Sequence, residues 1–150
     1  MDTFSIRTAA VSEQKALEAL QWRASLKHPD YREALLANPD AIELPASQIE
    51  AGRVFVCEQG GAVAGFAVVL PRGDGAAELD GLFVEPDLWR LGIGRRLVEH
   101  CAAVSRAGGS AALHVVGSPL AEPFYLACGF KSTGPAQTRF GPALLLCRAL

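Results

Sequence analysis

The sequence predicts one mixed α/β, or α+β, domain in which helices cover the faces of a mixed sheet. Its 150 residues, half of them hydrophobic, are enough to bury a sizeable core. Short apolar runs bounded by Gly and Pro alternate with segments of helical periodicity. Three of these runs follow one another across short turns, which indicates an antiparallel meander within the sheet.

The N-terminal segment predicts a strand followed by a helix. Residues Phe4–Arg7 alternate apolar and polar side chains, as a strand with one buried face does. Ser12 can N-cap the helix that follows. The apolar positions that fit one face of that helix are Ala16, Leu17, Leu20 and Ala24.

Proline and glycine set the limits of two shorter helices. Pro29 suits the first turn of a helix that runs through Leu36, where Asn38-Pro39 ends it. Residues Ala46–Ala51 predict one further short helix, which Gly52 stops.

The middle of the chain predicts the meander. Val54–Cys57 and Ala62–Leu70 flank Gln59-Gly60-Gly61, a sequence typical of a β-hairpin turn. Residues Pro71–Gly75 then turn the chain into a third strand at Ala77–Val84. We therefore expect these three strands to be antiparallel neighbours.

The third strand leads into a basic loop that contains Gly92 and Gly94, and this stretch is the most informative of the sequence. Backbone N–H groups at a helix start lack intrahelical partners, and the helix dipole adds partial positive charge there. Glycine lets a phosphate approach the main chain closely. Three arginines add full charges: Arg90, Arg95 and Arg96. The loop therefore predicts a pyrophosphate site.

A helix and four further elements complete the chain. The helix runs from Gly92 to Ala107 and ends at Gly108-Gly109. Its predicted buried stripe is Ile93, Leu97, Cys101 and Val104. The later elements are a strand at Ala111–Val116, a helix at Pro119–Cys128, a strand that starts at Gly129-Phe130-Lys131, and a strand at Ala143–Arg148.

Composition excludes several classes of partner. The net charge of -2, with basic residues clustered locally, suits a small anionic ligand better than a nucleic acid. No apolar run is long enough for a membrane span, and the first residues lack a signal-peptide core, so we expect a cytoplasmic protein. No C-x-x-C pair occurs, so we expect no metal site and reduced core thiols at Cys57, Cys101, Cys128 and Cys147.

The glycine loop has competing interpretations. A Rossmann site fails because Leu97 occupies the third glycine position and no acidic residue follows at the spacing that binds a ribose. A P-loop fails because no G-K-[ST] follows. The remaining alternative is that Gly92 and Gly94 only shape a tight turn.

Two segments together resemble the GNAT superfamily of acyl-CoA-dependent N-acetyltransferases. Leu82–Pro86 followed by Arg90–Arg95 is similar to the family's strand ending in V-x-P and its loop Q/R-x-x-G-x-G/A. Ser118–Phe130 is similar to the segment N-x-x-A-x-x-F-Y-x-x-x-G-F. In this chain Trp89 stands at the family's Gln or Arg, and Ser118 stands at its Asn. The order of elements also fits, so the resemblance covers nearly the whole chain.

The resemblance implies a single acetyltransferase domain over residues 1–150, with a mostly antiparallel sheet of about six to seven strands flanked by helices. It implies acetyl-CoA as co-substrate and direct transfer to the amine of a small molecule or peptide. The loop 90–95 would hold the pyrophosphate, and strand 82–84, splayed from its neighbour, would pair with pantetheine. A backbone N–H near Val84 would polarise the thioester carbonyl. The implied cofactor-binding residues are Leu82, Phe83, Val84, Trp89, Arg90, Leu91, Gly92, Ile93, Gly94, Arg95, Ser118 and Tyr125.

The same resemblance makes Tyr125 the general acid that protonates the departing thiolate, with a buried core tyrosine as the alternative. Glu78 and Asp80 lie at i and i+2 on one face of the entering strand, so either carboxylate could be the general base. A bulge between Leu79 and Phe83 would re-aim one carboxylate. His114 is another candidate base, although a structural histidine explains it as well. His28 and His100 are expected on the surface.

The acceptor pocket is expected between residues 22–44 and a turn at Thr133–Pro142. Arg23, Arg32 or Arg139 could bind a carboxylate on the acceptor, and a solvated helix face explains the same charges. Charge and hydropathy predict no nucleic-acid or membrane partner, and the resemblance allows a homodimer. Two other functions stay open: a non-catalytic acyl-CoA-binding sensor or regulatory domain, and a small α/β protein that binds another phosphorylated ligand.

Overall fold

The part of the chain that the structure describes forms a seven-stranded mixed sheet with five helices packed on its two faces. This computed structural model describes residues 3–29 and 31–150. The strands are β1 (Phe4–Thr8), β2 (Val54–Gln59), β3 (Ala62–Pro71), β4 (Ala77–Val84), β5 (Ala112–Gly117), β6 (Lys131–Thr138) and β7 (Gly141–Ala149). The helices are α1 (Gln14–Leu26), α2 (Arg32–Ala37), α3 (Ala46–Glu50), α4 (Ile93–Ala107) and α5 (Glu122–Ala127).

The sheet has the spatial order β1-β2-β3-β4-β5-β7-β6. Strands β1 to β4 pair antiparallel, which confirms the predicted meander. β4 and β5 are parallel because α4 carries the chain back across the sheet between them. β5, β7 and β6 pair antiparallel at the other edge. The prediction of a mostly antiparallel sheet flanked by helices is confirmed.

The β4–β5 pair separates near its middle, and this split positions the site. Their pairing ends at Leu79 and Val115, whereas β4 continues alongside β3 as far as Val84. At the same point a β-bulge interrupts β4: Val68 pairs with Gly81 and Val69 with Leu79, so Asp80 has no partner on β3. The expected splay and the expected bulge are therefore both present.

Helix α4 packs against one face of the sheet. Ile93, Leu97 and Cys101 are buried as predicted, but Val104 is 38% exposed. The prediction for Val104 is wrong because α4 also buries Val98 and Ala102, which rotates the buried face away from it. Three cysteines are buried free thiols, and Cys147 is half-buried.

Helices α1 and α3 cover the opposite face, where Leu17 and Leu20 pack with Phe66. Ala16 is exposed, contrary to the prediction. Ser12 is not the N-cap of α1, because it lies inside a 3-10 turn at Val11–Glu13. Glu13 occupies the N-cap position of α1 without a side-chain capping bond, and its Oε1 instead accepts the Ala10 N–H at 2.9 Å at the start of the 3-10 turn.

Three predicted boundaries are wrong. Pro29 lies in the turn before α2 rather than in its first turn. Asp30, which the predicted helix also included, lies outside the described residues, as do Met1 and Asp2. The helix predicted at Pro119–Cys128 is a 3-10 turn followed by α5. The turn predicted at Thr133–Pro142 is mostly strand, because β6 pairs with β7 as far as Thr138–Gly141. Among the described residues, no helix has the length and apolar character needed to cross a membrane.

Candidate active site

A cavity of about 770 Å³ lies in the gap between β4 and β5 and reaches the first turn of α4. Every residue expected to bind the cofactor lines it except Leu91, whose side chain is exposed to solvent. Tyr125 and Asp80 line the same cavity. The structure therefore brings both sequence motifs to one place.

The loop before α4 presents a row of unpaired backbone donors. Arg90 and Gly92 have positive φ angles of 71° and 83°, which turn the chain sharply into the helix. Arg96 donates the first hydrogen bond back from α4, to Gly92 O at 3.1 Å. No hydrogen bond joins the N–H groups of residues 90–95 to any other described residue. Such N–H groups at a helix N-terminus form an anion site.

Side chains around this loop add charge and leave room for the main chain. Arg90 and Arg95 line the cavity. Arg96 instead lies over the ring of Phe4, 5.4 Å from its centroid, so it does not join the other two arginines. A Cβ at Gly94 would lie 3.2 Å from Phe124 Cζ, so glycine lets α4 pack this closely on α5 without displacing the ring.

The end of β4 offers backbone groups to the gap. Glu85 N–H donates to Ala64 O at 2.9 Å. In an antiparallel pair the preceding residue then points its N–H and C=O to the other side, so those of Val84 face the gap. Trp89 Nε1 donates to Val84 O at 2.8 Å and ties the loop to the strand. The residue that departs from the family's Gln or Arg therefore has a structural contact of its own.

Tyr125 is buried, with 8% of its surface exposed. Its ring packs edge-on against Phe124 and Phe130, and a Cβ at Gly117 would lie 3.0 Å from its Cε2. No hydrogen bond joins its hydroxyl to another described residue. Burial raises the pKa of the phenol well above its ordinary value, so Tyr125 keeps its proton at neutral pH.

The two candidate carboxylates separate at the bulge. Asp80 lines the cavity and remains accessible to solvent, while the protein around it partly desolvates the carboxylate and raises its pKa. Glu78 precedes the bulge, beside Leu70 and His114, and is not among the described residues that line the cavity. His114 is also outside the cavity lining, with its Nε2 3.8 Å from Cys147 Sγ. The geometry therefore favours Asp80 over the other two candidates.

His28 lines the cavity, although the sequence predicted a surface position for it. Its Nε2 lies 3.1 Å from Ser118 Oγ, and its ring stacks on Tyr31 at 4.5 Å. Ser118 is itself buried and also accepts the Ala121 N–H. No local pattern signals the role of His28, because Ser118 is far away in sequence. His100 is half-buried outside this cavity, against Phe55, and burial lowers its pKa.

The three arginines considered for an acceptor carboxylate do not line the cavity. Arg23 binds Glu85 through two hydrogen bonds of 3.0 and 2.8 Å. Arg32 donates to a backbone carbonyl, and Arg139 donates to Asn38 Oδ1 at 3.3 Å. Among residues 3–29 and 31–150, no group of three His, Cys, Asp or Glu side chains could hold a metal ion.

Comparison with known proteins gives one family match. The model of an acetyltransferase (GNAT) domain matches residues 50–132, which include β4, the loop, α4 and Tyr125. No curated protein matches the sequence.

Solved structures share the fold at low sequence identity. PaiA N-acetyltransferase from Thermoplasma acidophilum, in complex with coenzyme A, is similar with a TM-score of 0.81 and 15% identity over 99% of both chains. The ribosomal-protein-S18-alanine N-acetyltransferase from Escherichia coli has a TM-score of 0.72 and 21% identity over 98% of this chain and 94% of that one. N-acetylglutamate synthase from Neisseria gonorrhoeae, complexed with coenzyme A and N-acetyl-glutamate, has a TM-score of 0.74 and 21% identity over 99% of this chain and 35% of that one.

Proposed function

This chain belongs to the GNAT acetyltransferase family and is an acyltransferase, and from that premise we propose that it transfers an acetyl group from acetyl-CoA directly to an amine. The acceptor is the amine of a small molecule or a peptide. Residues 1–150 act as a single acetyltransferase domain. The observation that carries the proposal is the row of unpaired amides at residues 90–95, at the mouth of the gap between β4 and β5.

The donor fits the groups that the cavity offers. Amides 90–95, helped by Arg90 and Arg95, hold the pyrophosphate. The free edge at residues 82–84 pairs with the amides of pantetheine, in the manner of an added strand. The Val84 N–H donates to the thioester oxygen. Such a preorganised donor contributes about 3 kcal/mol of transition-state stabilisation in other acyl-transfer enzymes.

Two side chains move the protons. Acetyl-CoA supplies an electrophilic carbonyl and a thiol leaving group. Asp80, directly or through a water, takes the proton that the acceptor ammonium must lose before its nitrogen can form the new C–N bond. Tyr125 gives its proton to the sulfur as the C–S bond breaks. The nitrogen, now bonded to the acetyl carbon, loses its second proton to water, and solvent returns one proton to the phenolate. The products are the N-acetylated amine, coenzyme A with a free thiol, and one proton released from Asp80.

Two measurements test this proposal. Thermal melting with CoA, acetyl-CoA, NAD and ATP identifies the ligand, because a bound ligand raises the melting temperature. We expect stabilisation by CoA and acetyl-CoA. Stabilisation by NAD or ATP, but by neither CoA species, would contradict the proposal and favour another phosphorylated ligand.

Thiol release from acetyl-CoA then separates an enzyme from an acyl-CoA sensor. Amines from several classes, including peptide N-termini, are supplied as acceptors. We expect thiol release that depends on both the amine and acetyl-CoA. Tight binding of acetyl-CoA with no transfer to any acceptor would favour the sensor.

A further inference from the structure

We infer that the acceptor is a small primary amine that carries no carboxylate beside its amino group. The inference rests on the proposed function, because it concerns the part of the cavity that would hold the acceptor. We call that part the acceptor arm; it is lined by Ala24, Ser25, His28, Tyr31 and Asp80.

The charge of the cavity divides between its two ends. Among the described lining residues, the lysines and arginines are Arg90 and Arg95, and both belong to the pyrophosphate loop. Asp80 is the one carboxylate among those lining residues, and it lies at the bulge where β4 leaves β5. An ammonium group in the acceptor arm is therefore attracted to Asp80. A carboxylate there meets a like charge, and no lysine or arginine among the described residues of the arm balances it.

Arg23, the arginine of α1, already has an ion-pair partner. Arg23 belongs to α1, one residue before Ala24 in the arm, but its guanidinium binds both carboxylate oxygens of Glu85 at the end of β4. A bidentate pair of this kind fixes the direction of the guanidinium. To bind an acceptor carboxylate, Arg23 would have to leave Glu85 without a partner. The ion pair with Glu85 thus keeps the Arg23 guanidinium from binding a carboxylate in the arm.

The walls of the arm favour a small acceptor. Tyr31 is stacked on His28 and is met edge-on by Phe140 of the β6–β7 hairpin, at a centroid distance of 6.3 Å. Arg139 of the same hairpin donates to Asn38 just beyond α2. His28 is joined to Ser118 at the end of β5. These contacts tie the α1–α2 wall to the C-terminal half of the sheet, which suits a compact amine better than an extended peptide.

Two matched series of probes test the inference on the full chain saturated with CoA. The first series is phenethylamine, phenylalanine and phenylalaninamide; the second is butylamine, norvaline and norvalinamide. Within each series the amino acid and its amide have nearly the same size and differ in charge. The tripeptide Phe-Ala-Ala represents an extended acceptor. Binding is measured by calorimetry or by saturation-transfer NMR, and turnover by thiol release from acetyl-CoA.

We expect the amine and the amide of at least one series to bind at least about tenfold more tightly than the amino acid, and the difference to shrink as salt is added. Equal binding of the amino acid, preference for the tripeptide, or binding of neither amine would each overturn the inference. Selective binding of the amines without thiol release would leave the inference intact and refute the proposed function. Thiol release that is equally efficient with the amino acids would support the proposed function and overturn the inference.

A pair of variants assigns the discrimination to one side chain. Asp80→Asn removes the charge of the arm, so the binding ratio of amine to amino acid should fall towards one. Glu78→Gln removes a carboxylate two residues away, outside the cavity lining, and should keep the ratio of the unmodified chain. An unchanged ratio in Asp80→Asn would show that another feature excludes the carboxylate.

Discussion

Replacing Gly92 by alanine tests whether the shape of the loop, rather than its charge, holds coenzyme A. Gly92 has a φ of 83°, and an added Cβ would meet no atom within 4 Å. The substitution therefore changes backbone preference without creating a clash. A left-handed conformation costs a non-glycine residue about 1–2 kcal/mol. Part of this strain is relieved if the loop rotates, and rotation turns the amides of residues 93–95 away from the pyrophosphate.

Gly109→Ala is a matched control at the other end of the same helix. Its φ is 91°, and a Cβ there would also meet nothing within 4 Å. Both variants should lose about 1–2 kcal/mol of unfolding free energy in urea titrations without ligand. Only Gly92→Ala should lose affinity for CoA. Each charge-assisted hydrogen bond is worth about 1.5–3 kcal/mol, so losing one raises the dissociation constant about 10- to 100-fold.

Calorimetric titration with CoA at fixed salt measures the affinities of the two variants and of the unmodified chain. Equal dissociation constants for all three, with the two variants equally destabilised, would refute the reasoning. That result would mean that the conformation of Gly92 does not orient the loop amides towards the pyrophosphate. Weaker binding by both variants would point instead to a general loosening of α4.

Three further predictions concern proton transfer and stability. Tyr125→Phe should lower kcat by about 10²–10⁴-fold in the thiol-release assay and leave CoA affinity nearly unchanged; an unchanged kcat would remove Tyr125 as the acid. In the unmodified chain the rate should fall as the pH drops through the raised pKa of Asp80. Asp80→Asn should abolish this fall, and Glu78→Gln should keep it. The opposite result would make Glu78 the base. Arg7 lowers the pKa of Glu13 from 4.5 to about 2, so the pair stabilises the fold above the ordinary pKa and loses this effect as the pH falls towards about 2. Because both side chains are partly exposed, Glu13→Gln should lower the free energy of unfolding by no more than about 1 kcal/mol near neutral pH and should leave it unchanged near pH 2. Urea titrations at several pH values measure this difference.

Local sequence patterns predicted most of the strands because their limits are set by nearby residues. The Gln59-Gly60-Gly61 turn has positive φ at both glycines, which is the geometry that a tight hairpin requires. The error at Ser12 arises where neighbouring residues compete for the same position. Glu13 is held by Arg7 and reaches back to Ala10, and this arrangement displaces Ser12 from the cap.

The parts of the site that are formed by residues close together in sequence were predicted. The parts that depend on contacts between distant residues were missed. The loop amides and the splayed end of β4 were both expected. Strand periodicity alone could not separate Glu78 from Asp80, because the bulge that separates them depends on the register with β3. The place of His28 and the neutralisation of Arg23 depend on Ser118 and Glu85, which are remote in sequence and carry no local signal.

The central claim is that the amides of residues 90–95 hold the diphosphate of coenzyme A, while the edge of β4 holds its pantetheine arm. Two-dimensional ¹H–¹⁵N NMR of the labelled chain, titrated with CoA and separately with pantetheine, tests both parts at once. We predict that the Leu82–Val84 amides shift with either ligand and that the amides of 91–95 shift strongly with CoA only. Loop resonances that do not respond to CoA, or that respond equally to pantetheine, would contradict the account.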